Sequence, residues 1–105
     1  MVLALSGPAL GQGRSGRAAP PFPVPPAWWL RSPTLACIIR RESGGNVHDT
    51  ANPSSRGLYQ FEYSTWSSVG GSGDPAYASR AEQTYRAWLL YRRDGWGPWT
   101  RYDGC

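Results

Sequence analysis

Apolar residues recur at helical spacing in two stretches of the chain. Leu35, Ile38 and Ile39 repeat three and four positions apart, the period that lines one side of a helix. Ser32 supplies a side-chain cap and Pro33 fits the first helical position, while Gly44 or Gly45 can take the left-handed conformation that ends a helix. The pattern predicts a helix from about Pro33 to Ser43. Ala81, Tyr85, Trp88 and Leu89 line a second face, opened by the capping box of Ser79 and Glu82 and closed by Gly95. That helix is predicted from about Arg80 to Arg93. Between the two, "NVHDTANPSSR" is turn-forming and "GLYQF" suits a strand or extended segment. "STWSSVGG" reads as a short helix stopping at Gly70 and Gly71, and "GWGPWTRYDGC" is too rich in glycine and proline for regular structure. No internal repeat is visible. The predicted class is mainly α (α+β), a small domain with a minor β or loop wing between its helices.

Composition narrows this further. A chain of 105 residues allows one domain. Residues 1–27 hold six of the ten prolines, four of the thirteen glycines and no acid, too little apolar surface to offset the entropy of ordering them. They read as a disordered or extended tether, with the domain in residues 28–105. "VLAL" is followed at once by Ser6, Gly7 and Pro8, so no intact signal peptide is visible, and no stretch is apolar for long enough to span a membrane. Eleven arginines, with no lysine, face seven acids, and nine of those arginines share the domain with all seven acids. The excess is too thin and too dispersed for a nucleic-acid surface, although it favours adsorption to an anionic cell wall. A domain of about 78 residues is short enough to need a covalent staple. Cys37 and Cys105 can form one, or can remain two free thiols.

The candidate chemistry centres on one acid. Glu42 follows Leu35, Ile38 and Ile39 at seven, four and three residues, so its side chain projects from the apolar face of the first helix. Burial and the negative end of the helix dipole both disfavour its charged form, and Arg40 and Arg41 project elsewhere. A carboxyl that keeps its proton near neutral pH is what a general acid requires. The alternative is a surface glutamate paired with an arginine.

"RESGGN" at the end of a first helix, then "GLYQF" and "STW", resembles the lysozyme-like superfamily of peptidoglycan-cleaving enzymes. More narrowly, the chain is similar to the resuscitation-promoting factors of actinobacteria and related transglycosylase-like domains. "SVGGSG", "SRAEQTYRAWLLYRRDGWGPW" and a following cysteine fit the same order, so the likeness spans residues 28–105. The resemblance implies a small lysozyme-like domain in which Glu42 matches the family's single catalytic glutamate. It also implies that Gln60 lines the cleft opposite, with Thr65 and Trp66 nearby, and that Asn46 matches the asparagine of the "GGN" turn. Two features depart from the family. Its first cysteine usually directly precedes the glutamate, whereas Cys37 lies five residues before Glu42, and Cys105 lies six after Trp99. A shift of four residues keeps the same helix face, displaced by about 5.4 Å, so the altered pair fits a relocated Cys37–Cys105 bridge. Val47 stands where the family often has tryptophan, which weakens a claim of sugar stacking there.

The resemblance implies cleavage between N-acetylmuramic acid and N-acetylglucosamine, by a lytic transglycosylase or a lysozyme-type hydrolase. A second carboxylate, which most glycosidases need, has Asp49, Glu62 and Asp74 as candidates. Asp49 is better explained as a turn residue, and alternation turns Glu62 to the surface. Without a second carboxylate, Glu42 can serve as acid and then base, closing a 1,6-anhydro ring, the reaction the resemblance favours. Tyr59, Trp66 and Trp96 are candidate sugar-stacking residues, while Tyr85 and Trp88 are better explained as core. His48 has no partner at metal spacing, so neither metal nor cofactor is expected. The expected partner is the peptidoglycan glycan strand, met by a monomer that is secreted or wall-associated. The competing class is a non-catalytic wall-binding module.

Overall fold

A computed structural model of the chain describes residues 22–105. Most of the proline-rich tether expected over residues 1–27 thus lies outside the described residues, and from Phe22 onward the chain follows the domain surface. Phe22 lies 6.1 Å from the ring of Tyr85, with the Arg86 guanidinium 5.5 Å from its own ring centre. A single turn, α1 (Ala27–Leu30), then drives Trp29 fully into the core while Trp28 stays exposed.

The first predicted helix forms with the bounds expected, α2 (Pro33–Ser43). Ser32 Oγ accepts from Thr34 N at 3.1 Å, and Gly44 ends the helix with φ 61°. Leu35 and Ile38 are its buried face. The last residue of the helix reaches onward, because Ser43 Oγ donates to the Leu58 carbonyl at 2.7 Å and ties α2 to the wing.

The wing holds almost no β structure. Among the described residues, "GLYQF" forms a tight turn closed by one isolated bridge between Arg56 and Phe61. The extended reading fails for a backbone reason: Gly57 (φ 82°) and Gln60 (φ 53°) both adopt the left-handed conformation, which no strand accommodates. Leu58, Tyr59 and Phe61 are therefore all buried instead of alternating between two faces.

Beyond the turn, α3 (Tyr63–Ser68) buries Trp66, and the indole lies so close to Gly71 that a Cβ there would collide with it. A 3-10 turn (Pro75–Tyr77) capped by Asp74 leads to α4 (Arg80–Asp94), whose Ser79 cap accepts from Glu82 N at 3.0 Å. The bounds of α4 match expectation and its buried face does not. Gln83, Ala87 and Leu90 lie deepest, Tyr85, Trp88 and Leu89 are half-buried, and Ala81 is exposed. The face is rotated because Gln83, polar by type, is fully enclosed and bonded to three backbone groups of the wing and the 3-10 turn.

The tail, expected to be irregular, forms α5 (Gly97–Asp103). Pro98 starts this helix, since its missing N–H falls in the first turn where no partner is needed. Trp99 anchors it, buried and donating Nε1–H to the Tyr59 carbonyl at 3.1 Å. The Cys37–Cys105 disulfide then closes the domain, with Cα atoms 5.9 Å apart and a sequence separation of 68 residues. On a loop-entropy basis the bond contributes roughly 4 kcal/mol. Replacing both cysteines with alanine is expected to lower the unfolding free energy by about that amount in urea titrations.

Candidate active site

A cleft of about 480 Å³ opens where α2, the wing, α3 and α5 converge, within the range of small-ligand sites. Glu42 enters it from the last turn of α2, Tyr59, Gln60 and Phe61 from the wing, Glu62 and Thr65 from the head of α3, and Trp99, Tyr102 and Asp103 from α5. Gln60 is held within its turn: the residue is left-handed, and its Nε2 donates to the Gly57 carbonyl at 3.0 Å. Tyr102 stands at the rim, 82% exposed, and offers a free aromatic face.

Glu42 is half-buried, and its carboxyl is raised from 4.5 to about 8. Burial is the first cause; a hydrogen bond with the Asp103 side chain is the second, and the Asp103 negative charge the third. The inward projection of Glu42 follows the sequence pattern. The reason for its retained proton differs in part, because a neighbouring carboxylate joins burial. Among the described residues no arginine lines the cleft to offset its acids, and Arg40 and Arg41 are exposed. Asp103 Oδ2 is buried and has no hydrogen-bond partner from any ordinary donor among the described residues. A proton on Glu42 is the donor this pair can supply for itself.

The cleft thus brings together four of the residues singled out in the sequence, Glu42, Tyr59, Gln60 and Thr65. Tyr59 borders it from a buried position with its hydroxyl on Thr84 at 3.0 Å. Asn46 and Trp66 are not part of its lining. Asn46 accepts from His48 N in an exposed turn, and Trp66 is core, its Nε1–H on the Ser72 carbonyl. Trp96 stacks on Trp29 at 5.9 Å, away from the cleft lining. Of the carboxylates considered as second acids, Asp49 accepts from Ala51 N in a turn. Asp74 pairs with Arg56 at 2.8 Å, which lowers its pKa. Glu62, expected to turn away, is exposed and still borders the cleft. His48 Nδ1 hydrogen-bonds the Ala76 carbonyl, and no group of three or more His, Cys, Asp or Glu among the described residues could hold a metal ion.

Sequence reasoning passes over Asp103, although a signal for it exists. If Cys105 bonds Cys37, Asp103 lies two residues, or up to ~7 Å of chain, from that anchor. Glu42 lies five helical residues, or about 7.5 Å, from the same point. Combining the expected bridge with the expected helix brings the two acids within reach of each other.

The chain matches the family described as transglycosylase-like domain over residues 31–102. It is 37% identical over 89 residues to resuscitation-promoting factor Rpf of Micrococcus luteus, covering 85% of this chain and 40% of that protein. It is 44% identical over 71 residues to Probable transglycosylase SceD of Staphylococcus aureus (strain Newman), covering 62% of this chain and 30% of that protein. The chain spans less than half the length of these curated relatives. The family match contains every residue that lines the cleft except Asp103, which lies one position beyond its end. A match that takes in most of the chain, from the approach to α2 through nearly all of α5, shows that this chain belongs to the transglycosylase-like domain family.

Proposed function

We propose that the chain cleaves peptidoglycan glycan strands at the bond between N-acetylmuramic acid and N-acetylglucosamine, with Glu42 as the sole proton donor and acceptor. The reading is carried by one observation, a half-buried carboxyl that faces an open cleft beside a second carboxyl, a setting that raises its pKa to about 8. Glu42 gives its proton to the glycosidic oxygen as the bond from muramoyl C1 breaks, and the substrate acetamido group or the Gln60 side-chain dipole stabilises the oxocarbenium. The resulting carboxylate takes the proton of the muramoyl 6-hydroxyl as O6 bonds to C1. The proton returns to Glu42, no water is consumed, and the new end is a 1,6-anhydro sugar.

Anhydro formation is favoured over hydrolysis because of where Asp103 sits. Carboxyl pairs that hydrolyse glycosides flank the scissile bond at about 5–5.5 Å or about 6.5–9.5 Å. Asp103 is within hydrogen-bonding range of Glu42, closer than either separation, which leaves no room between the two for a sugar or an attacking water. The disulfide supports action outside the cytoplasm, at the wall.

Mass spectrometry of fragments released from purified peptidoglycan tests the reading. Ends one water lighter than reducing sugars are expected. Reducing ends would make the enzyme a hydrolase, and retention on the wall with no released fragment would leave a binding module.

A further inference from the structure

Resting on that reading of Glu42, one residue of the cleft has a role that the single-acid scheme does not use. We propose that Asp103 is the positioning residue of Glu42: its buried carboxylate accepts the Glu42 O–H, and the Cys37–Cys105 bridge holds it there.

Three independent features converge on this role. Asp103 borders the same cleft as Glu42, from a different helix. Its Oδ2 is buried without an ordinary donor among the described residues, a costly state unless a proton is shared with a neighbour. The helix that carries it ends two residues before a disulfide anchored at Cys37 of α2, so the tail stays tethered to that helix five residues before Glu42. Among the described residues, no cationic group borders the cleft around Glu42. The wing contributes Tyr59, the head of α3 contributes Glu62, and α5 contributes Tyr102 and Asp103. Arg40 and Arg41 on its own helix are exposed.

The pair does two things in the cycle. In the empty cleft, Asp103 retains the hydrogen on Glu42 by accepting it. When a glycosidic oxygen comes within hydrogen-bonding range, the O–H turns from Asp103 to that oxygen and is transferred as the C1–O bond breaks. Glu42 is then a carboxylate beside a second carboxylate, and their repulsion strengthens it as a base. Uptake of the 6-hydroxyl proton as the O6–C1 bond forms relieves that repulsion and restores the starting state.

The test measures the rate of fragment release from purified peptidoglycan between pH 4.5 and 9 for the wild type, Glu42→Gln, Asp103→Asn and Asp103→Glu. The amide introduced by Asp103→Asn can donate to a Glu42 carboxylate, which favours loss of the proton. Asp103→Asn is therefore expected to lose rate at both ends of the range through the weaker base, and to lose about tenfold more at pH 8 than at pH 5 through the lost proton. Asp103→Glu is expected to recover part of the pH 8 rate. Protein with its disulfide reduced, confirmed as folded by circular dichroism, should show the same selective loss at pH 8. An Asp103→Asn profile that keeps the wild-type alkaline limb, or that falls equally at every pH, overturns the positioning role, provided Glu42→Gln is inactive. Activity in Glu42→Gln would instead remove the assignment of Glu42, and this inference with it. A wild-type limb in the reduced protein overturns the part given to the bridge.

Discussion

Glu42→Gln is expected to release fragments from peptidoglycan at least about 10³-fold more slowly than wild type, with binding retained. The amide keeps the size of the side chain and cannot give up a proton as an acid does. General acid–base catalysis is worth about 10²–10⁴-fold, and here one group serves both halves of the reaction. The same substitution is expected to stabilise the fold, with a sign that follows from the retained proton. Glu42 is raised in the folded protein from 4.5 to about 8, so between those values the native state binds a proton that the unfolded chain lacks, and stability falls as pH rises through the window. Wild type and Glu42→Gln should therefore melt at similar temperatures near pH 4 and diverge by pH 9. Discounted for the half of the group that water reaches, the gain at pH 9 is on the order of 1–2 kcal/mol, or roughly 5–10 °C in Tm. Equal release rates for the two proteins would remove Glu42 from the chemistry, and equal melting at pH 9 would show that its carboxyl is not strained by the fold.

The parts of this fold that were legible are those whose cause is local. Ser32, Pro33 and Gly44 fix both ends of α2 within a few residues of themselves, and Ser79 does the same for the start of α4. Glu42 could be turned inward on paper because helical spacing ties its direction to that of Ile38. What stayed hidden depends on distant parts of the chain. Gln83 is polar by type and carries no local signal of burial, and only the wing folding over it reveals a buried acceptor and donor. "GLYQF" has the composition of a strand, and the left-handed backbone at Gln60, an uncommon state for a residue with a side chain, is set by the turn that packs Leu58 and Phe61. Gly97 and Pro98 read as breakers, yet at the first turn of α5 they start a helix that Trp99 pins to the core. Asp103 is meaningful only once the tail has returned to α2.

These non-local features form a sequence of dependence that ends at the site. Gln83 and Ser43 hold the Leu58 backbone from two sides, through its N–H and its carbonyl. The next residue, Tyr59, accepts from Trp99 and so receives α5. The disulfide fixes the far end of the same helix, and Asp103 lies between the two attachments. A loosened wing would reach the acid pair through α5 even though Gln83 itself borders no part of the cleft.

Gln83→Leu is accordingly expected to be among the most destabilising single changes in the chain. The side chain is fully buried; Oε1 accepts from Leu58 N at 2.8 Å, and Nε2 donates to the Val47 and Ala78 carbonyls at 3.0 and 2.9 Å. Leucine is close in size and leaves little void, so the loss is polar: one buried and two partly buried backbone groups are left without partners, at up to about 1–3 kcal/mol each. The apolar side chain offsets part of this. A net cost of about 3–5 kcal/mol is large against the 5–15 kcal/mol that holds a typical domain together, and should lower Tm by roughly 15 °C or more at pH 5. Gly57→Ala probes the same contact from the other side, since a Cβ at that left-handed position would strike Gln83 Oε1, and it should destabilise in the same direction. A Tm within about 5 °C of wild type for Gln83→Leu would mean that water reaches those three backbone groups, and that apolar packing alone holds the wing over α4.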